Sequence, residues 1–273
     1  MKAYAYVVKA SKKPDVVKCV VPYKINNDTI FFGPCKKRLR ENFYESYLKN
    51  LHMGEVNAPE EIYVVGVNAS NPKKIRKIVW IGRVQKVLTF ERAYNILSQK
   101  KEFEKMMNLE DSPLHLKPIY KNETFIGYKL RSKEHGENNS WILDIIKKRD
   151  HPNVNINGKK LFLIDPSKRW ETFTRDCCFL CENLFYAEGK GISIDEDILG
   201  LLKAAQPNKK GVDSYAIFGF RKDGSADGLT GSYLEIDGEM AEKLIETMTE
   251  RRDNMVIPYK SSRGDTQHRG KCI

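Results

Sequence analysis

No apolar run in the 273 residues approaches the roughly 18 that a membrane-spanning helix requires. The opening "MKAYAYVVKASKK" has a short apolar stretch and then more lysine, with no small-residue cleavage site. It reads as a first strand and not as a secretory signal, so a cytoplasmic protein is expected. Cysteine is sparse: Cys19, Cys35, Cys177, Cys178, Cys181 and Cys272 are too few for a disulfide framework. "CCFLC", with His268 and Cys272 as distant partners, matches no standard zinc spacing, and it reads as an apolar strand whose thiols pack as small hydrophobes. No metal and no cofactor is expected. "GSADGLTG" lacks the Gly-Lys-Ser/Thr of a phosphate loop and reads as a surface turn. A Gly-x-Ser-x-Gly elbow and a His-Glu-x-x-His helix are both missing. Repeats, heptads and a Pro/Gly/Ser-rich linker are missing too, which favours one α+β domain over residues 1–258. A polar, basic tail, 259–273, follows it.

What the chain has is positive charge: 47 Lys and Arg against 36 Asp and Glu, a net +11. That favours an anionic partner, with nucleic acid the commonest. A generically basic surface is the alternative, but the basic groups cluster around residues 9–13, 36–40, 73–77, 147–149 and 209–210, at or near turns. The densest cluster is in "FFGPCKKRLRENF", where a strand meets a Gly-Pro corner and a helix begins. Cations at a helix N-terminus oppose the helix dipole. A bound anion reverses the balance, because free N–H groups, dipole and side chains then act together. Lys36, Lys37, Arg38 and Arg40, with Lys73 and Lys74, are therefore the candidate phosphate contacts. Leu39, Phe43, Tyr47 and Leu51 recur every fourth residue and form the expected buried stripe, flanked by Tyr44 and Leu48.

Alternation and β-branched or aromatic content mark strands in "KAYAYVVKA", "DTIFFG", "EEIYVVGVNA", "KIRKIVWIGRVQKVLTF", "ETFIGYKLRS", "LFLID", "DCCFLCENLFYA" and "DSYAIFGFRKDG". Helices are expected across "FERAYNILSQKKEFEKMM", "NSWILDIIKKRD", "SIDEDILGLLKAA" with Ser193 as N-cap, and "DGEMAEKLIETMTERR". "HPNVNINGKK" reads as a loop. The expected fold is α+β: a mixed, largely antiparallel sheet, open or closed into a PUA-like barrel, flanked by several helices.

Two polar patches carry the candidate chemistry. "RSKEHGENNSWILD" gathers amides that can read a base edge (Asn138, Asn139), an aromatic that can stack on it (Trp141) and carboxylates that can do chemistry (Asp144, Glu137). The structural alternative is a polar loop with a helix cap and an ordinary Asp144–Lys148 pair. "CENLFYAEGKG" places Asn183 and Tyr186 where a strand enters a Gly turn, suited to a pocket mouth; Phe185 reads as core.

Together these pieces resemble the nucleotide-modification-associated domain family, in particular its second type. The resemblance is carried by "KAYAYVVKA", "PCKKRLR", "IVWIGRVQKVLTFERAY" and "CFLCENLFYAEGKGISIDEDILGLL", with Lys37 standing where the family has Pro. That family is linked with phage and bacterial systems that build or attack hypermodified DNA bases. The resemblance implies double-stranded DNA with modified bases as partner. The expected activity is a monofunctional DNA glycosylase, with a role in phage defence, Asp144 or Glu137 acting on the sugar and Asn138, Asn139, Asn183, Trp141 and Tyr186 holding the flipped base. A non-catalytic PUA-like reader and a base-modifying transferase are the alternatives; the transferase would need a donor-nucleotide loop, which the sequence lacks.

Overall fold

Alternation in "KAYAYVV" sends Tyr4, Tyr6 and Val8 to one side of strand β1 (Lys2–Val8) and Ala3 and Ala5 to the other, and both sides are buried. β1 is thus a central strand with a core on each face. This computed structural model describes residues 1–8, 17–18, 22–33, 37–68, 77–101, 116–130, 154–157, 161–204, 206–207 and 233–256.

The first half of the chain contributes β2 (Val17–Lys18), β3 (Tyr23–Lys24), β4 (Thr29–Phe32), helix α1 (Lys37–Phe43), β5 (Glu55–Asn57), β6 (Ile62–Asn68), β7 (Lys77–Leu88) and α2 (Phe90–Leu97). Then come β8 (Leu116–Lys121), β9 (Thr124–Leu130), β10 (Val154–Asn157), β11 (Leu161–Ile164), α3 (Arg169–Thr172) and β12 (Cys178–Tyr186). The last are β13 (Glu188–Gly189), β14 (Ile192–Ser193), α4 (Glu196–Ala204), β15 (Gln206–Pro207), β16 (Tyr233–Asp237) and α5 (Gly238–Val256).

Among the described residues the main sheet has ten strands in the order β15-β16-β1-β6-β7-β12-β4-β3, with β5 and β14 also pairing on β7. Only β1–β6 is parallel there; the other ladders are antiparallel. The order has two ends, so the sheet is open and not a barrel. A second sheet, β10-β11-β9-β8, brings Leu116, Phe125, Tyr128, Phe162 and Ile164 into the same core as Tyr4 and Tyr6. The opposite face is covered by α4 and α5 through Ile198, Leu202, Ala241, Leu244 and Met248. The fold is α+β, with a mixed, largely antiparallel sheet flanked by helices, as its alternating strands imply.

Trp80 on β7 is the largest fully buried side chain among the described residues. Its indole lies over Gly66, its partner on β6, and over Gly82; a Cβ at Gly66 would stand 2.1 Å from the ring. Its Nε1 donates to the Tyr6 hydroxyl at 3.0 Å, which satisfies the buried N–H. Phe32 stacks on both Trp80 and Phe179, with ring centres 5.9 and 5.1 Å away, so aromatic packing ties β7, β4 and β12 together.

Three local expectations are revised. The stripe Leu39–Phe43–Tyr47–Leu51 does not continue: α1 runs into a π-helical turn, Tyr44–Lys49. The wider π turn slips the buried face by one residue, so Tyr44 and Leu48 are buried while Leu51 is 55% exposed. "VNIN" is the strand β10 and not a loop, because Val154 and Ile156 alternate with asparagines and pair with Ile164 and Phe162 on β11. Asp195, not Ser193, caps α4: its Oδ1 accepts from the Ile198 N–H at 3.1 Å, while Ser193 lies in β14. The helix expected over "NSWILDIIKKRD", the strand "DSYAIFGFRKDG" and the tail lie outside the described residues.

A candidate base-binding cleft

β7 is apolar from Ile78 to Gly82, and then Arg83, Gln85 and Lys86 interrupt it. On β12, Leu180 pairs with Lys86 and Cys181 with Val84, so Gln85 is an extra residue, a β-bulge. Strict alternation would send Gln85 and Lys86 to opposite faces; the bulge lets both line one cleft. The facing wall is the β3–β4 turn. There Asn26 Oδ1 accepts from the Asp28 and Thr29 N–H groups at 2.9 and 2.8 Å, an Asx turn. Asn183 pins this turn to β12: its backbone N–H donates to the Asp28 carbonyl at 2.8 Å and its Nδ2 to the Asn27 carbonyl at 2.7 Å. Ile25, Leu180 and Cys181, with Ile96 and Leu97 of α2, supply the apolar lining, and Lys100 the far rim. The cleft has a volume of about 530 Å³ and is open to solvent.

The charges in this cleft are largely matched. Glu182 accepts from Arg83 Nε at 2.8 Å and Gln85 Nε2 at 3.1 Å, and this pairing pushes the Arg83 guanidinium further up. Lys86 is ion-paired with Glu55, which also accepts from Arg92 Nε at 2.6 Å; those two bonds hold the Glu55 carboxyl below its usual range. Besides these ion pairs, the polar groups lining the cleft are the Asn26 and Gln85 amides, the Asp28 carboxylate and the Lys100 ammonium on the rim, set among aliphatic side chains. Such a lining suits a planar heterocycle with edge donors and acceptors better than it suits a phosphate.

The residues expected from sequence fall in three groups. Asp144, Glu137, Asn138, Asn139, Trp141, Lys36, Lys73 and Lys74 lie outside the described residues, as does the side chain of Lys37. Asn183 and Tyr186 are both on β12, but neither presents itself as expected. Asn183 spends its amide on the β3–β4 turn, and the Tyr186 hydroxyl donates to the Pro22 carbonyl at 3.0 Å with the Lys24 ammonium 5.9 Å over its ring. Both build the wall beside the cleft. Of the basic run, Arg38 is exposed and available to an anion. Arg40 is 0% exposed; its Nη1 donates to the Arg175 carbonyl and its guanidinium lies 5.5 Å over Phe90. It is a core residue, and a phosphate does not reach it. The i+4 spacing that puts Leu39 and Phe43 inward puts Arg40 beside them, toward the segment before β12. Phe185, read as core, is half-buried between the two cores.

Sequence reasoning missed Asn26, Asp28, Arg83, Gln85 and Lys86. Their signal is adjacent polar residues in an otherwise apolar strand ("RVQK"), which marks a bulge, and an Asn-rich turn before β4. It also missed a buried network. Asp176, 0% exposed, accepts from the Phe90 N–H at 2.9 Å and from the Tyr128 hydroxyl at 2.8 Å, and Tyr128 in turn accepts from the Glu91 N–H at 2.9 Å. Arg169 reaches Glu91 at 2.6 Å and lies 4.2 Å over Phe125. Burial pushes the Asp176 carboxyl up, with the Arg169 charge opposing. This network joins the second sheet to the start of α2. Among the described residues, no cluster of His, Cys, Asp and Glu is arranged to hold a metal, and the Cys177, Cys178 and Cys181 thiols are buried and pushed up by burial. No family model, curated protein or solved structure matches the chain.

Proposed function

We propose that this protein binds double-stranded DNA and receives an extrahelical, modified base in the cleft between β7, β12 and the β3–β4 turn, acting there as a monofunctional DNA glycosylase. One observation carries the reading: a cleft of about 530 Å³, amide-rimmed and aliphatic-floored, on a chain of net charge +11. Ligand pockets commonly span roughly 300–1,000 Å³, so a base with a substituent fits. The likeness of the sequence to the nucleotide-modification-associated domain supports a modified base.

Surface cations hold the backbone without choosing sequence. Gln85 and Asn26 offer edge donors and acceptors to the base, and Ile25, Ile96, Leu97 and Leu180 exclude water from it. Cleavage needs a carboxylate that stabilises an oxocarbenium-like sugar and takes a proton from water. The water oxygen bonds to C1′, the C1′–N bond breaks, and the proton passes to the departing base. Asp144 and Glu137 are the sequence candidates for this group. Glu182 is committed to Arg83 and Gln85, which leaves Asp28 as the other carboxylate lining the cleft among the described residues. That same commitment of Glu182 favours a second reading, a reader that holds the base without breaking a bond.

Incubation with modified phage DNA and with plain DNA, followed by alkali, separates the readings. Strand breaks on modified DNA alone, lost in Asp144→Asn with binding kept, are the expected result. Retention without breaks assigns the reader. Absence of binding to either DNA at low salt overturns both.

A further inference from the structure

A second cavity among the described residues, about 490 Å³, lies at the opposite end of β7 and against the other core. Lys77, the first residue of β7, is directly opposite Ser193 of β14, and the next pair, Ile78 and Ile192, is fully buried and anchors the ladder. Cross-strand partners stand about 5 Å apart at Cβ, so an ammonium and a hydroxyl share one wall. The adjoining turn is Gly189-Lys190-Gly191; nothing lies within 4 Å of the position a Cβ would take at Gly189, so the backbone is open to close approach. Lys77 and Lys190 both line the cavity, and among the described residues neither ion-pairs with a carboxylate. In the base cleft Arg83 and Lys86 are both paired, and Lys100 is the cation outside those pairs.

The acidic start of α4 borders the same cavity and would repel an anion. Arg251, reaching in from α5, offsets part of that charge: its Nε meets Asp195 Oδ2 at 2.8 Å and its Nη2 meets Asp197 Oδ2 at 3.2 Å. Among the described residues, the cavity lining carries Lys77, Lys190 and Arg251 against Asp195, three positive charges to one negative. We propose that this cavity is a phosphate-group site, in which the Lys77 and Lys190 ammonium groups, the Ser193 hydroxyl and the backbone of the Gly189–Gly191 turn hold the anion. Lysine acts as a point charge toward phosphate, and glycines let a backbone approach it closely. The phosphate belongs either to a small phosphorylated molecule or to a DNA backbone. The proposal shares no residue with the base cleft, so each stands or falls alone.

The test is calorimetric titration of the full chain in phosphate-free, low-salt buffer, with inorganic pyrophosphate in one arm and a short unmodified duplex in the other. The wild type is compared with the Lys77→Gln/Lys190→Gln variant, its fold checked by circular dichroism. Binding roughly tenfold weaker in the variant is expected, as for loss of charge-assisted contacts. A loss confined to pyrophosphate assigns a free phosphorylated ligand, and a loss shown by the duplex assigns a backbone phosphate. Unchanged affinity for both overturns the site. A second measurement needs no variant: Lys77 and Lys190 of the wild type should be protected from acetylation by whichever probe binds, and equal acetylation with and without the probes overturns it too.

Discussion

At the scale of single residues, Arg38 and Arg40 show how little a charge count says about a role. They are two positions apart in one basic run, yet Arg38 is exposed and Arg40 is fully buried against Phe90 and the Arg175 carbonyl. Removing the buried guanidinium takes the Arg40 donor away from the Arg175 carbonyl. Arg40→Gln should therefore lower stability to urea by about 1–3 kcal/mol while leaving the salt dependence of DNA binding unchanged. Arg38→Gln should do the reverse, reducing the slope of log affinity against log salt by roughly one unit per lost phosphate contact, with stability kept. A salt-slope change in the Arg40 variant would return that residue to the surface role its charge suggests.

At the scale of elements, β7 organises the molecule. It pairs with β6, β12, β5 and β14, it carries Trp80 in the core, and its two ends supply Lys77 to one cavity and Arg83, Gln85 and Lys86 to the other. Trp80 fits only because its neighbour across the ladder is glycine: a Cβ at Gly66 would stand 2.1 Å from the indole, well inside contact. Gly66→Ala must displace Trp80 and with it the hydrogen bond to Tyr6. The expected cost is about 1–3 kcal/mol, the range for overpacked cores, read as a fall in melting temperature. An unchanged melting temperature would show that the ring relocates freely. Irregularities in the elements matter as much as their runs. The bulge at Gln85 aims the polar side chains of the base cleft, and the π turn Tyr44–Lys49 decides that Leu48, and not Leu51, is buried.

At the scale of the whole molecule, the second sheet and the main sheet share one core, and their polar link is Tyr128 to Asp176. Tyr128→Phe removes the donor to a buried carboxyl and the acceptor for the Glu91 N–H, at an expected cost of about 1–3 kcal/mol in urea unfolding. Asp176 adds a pH signature. Its carboxyl is raised in the folded state, mainly by burial, so between its unfolded and folded pKa values the folded chain binds more protons than the unfolded one. Its contribution to stability therefore falls as pH rises through that window. Relative to the wild type, Asp176→Asn should gain ground as pH rises above the ordinary range of an aspartate, because it never ionises. A stability difference independent of pH would count against this.

The amino-acid sequence by itself determined the α+β class, the positions of β1, β6, β7, β9, β11 and β12, the closing helix and the cationic balance. These are properties of periodicity and composition, which act over a few neighbours and need no partner. Tertiary structure decided which charges are free. Arg40 went inward, Arg83 and Lys86 took carboxylate partners distant in sequence, and among the described residues Lys77 and Lys190 did not. It also decided where Asn26, Asp28, Gln85 and Glu182 meet, since a bulge on one strand and an Asx turn more than fifty residues earlier form one cleft only after β4, β12 and β7 pair. The physical reason is the range of the forces. Side-chain alternation is local, whereas burial and ion pairing depend on which strands the chain has already brought together.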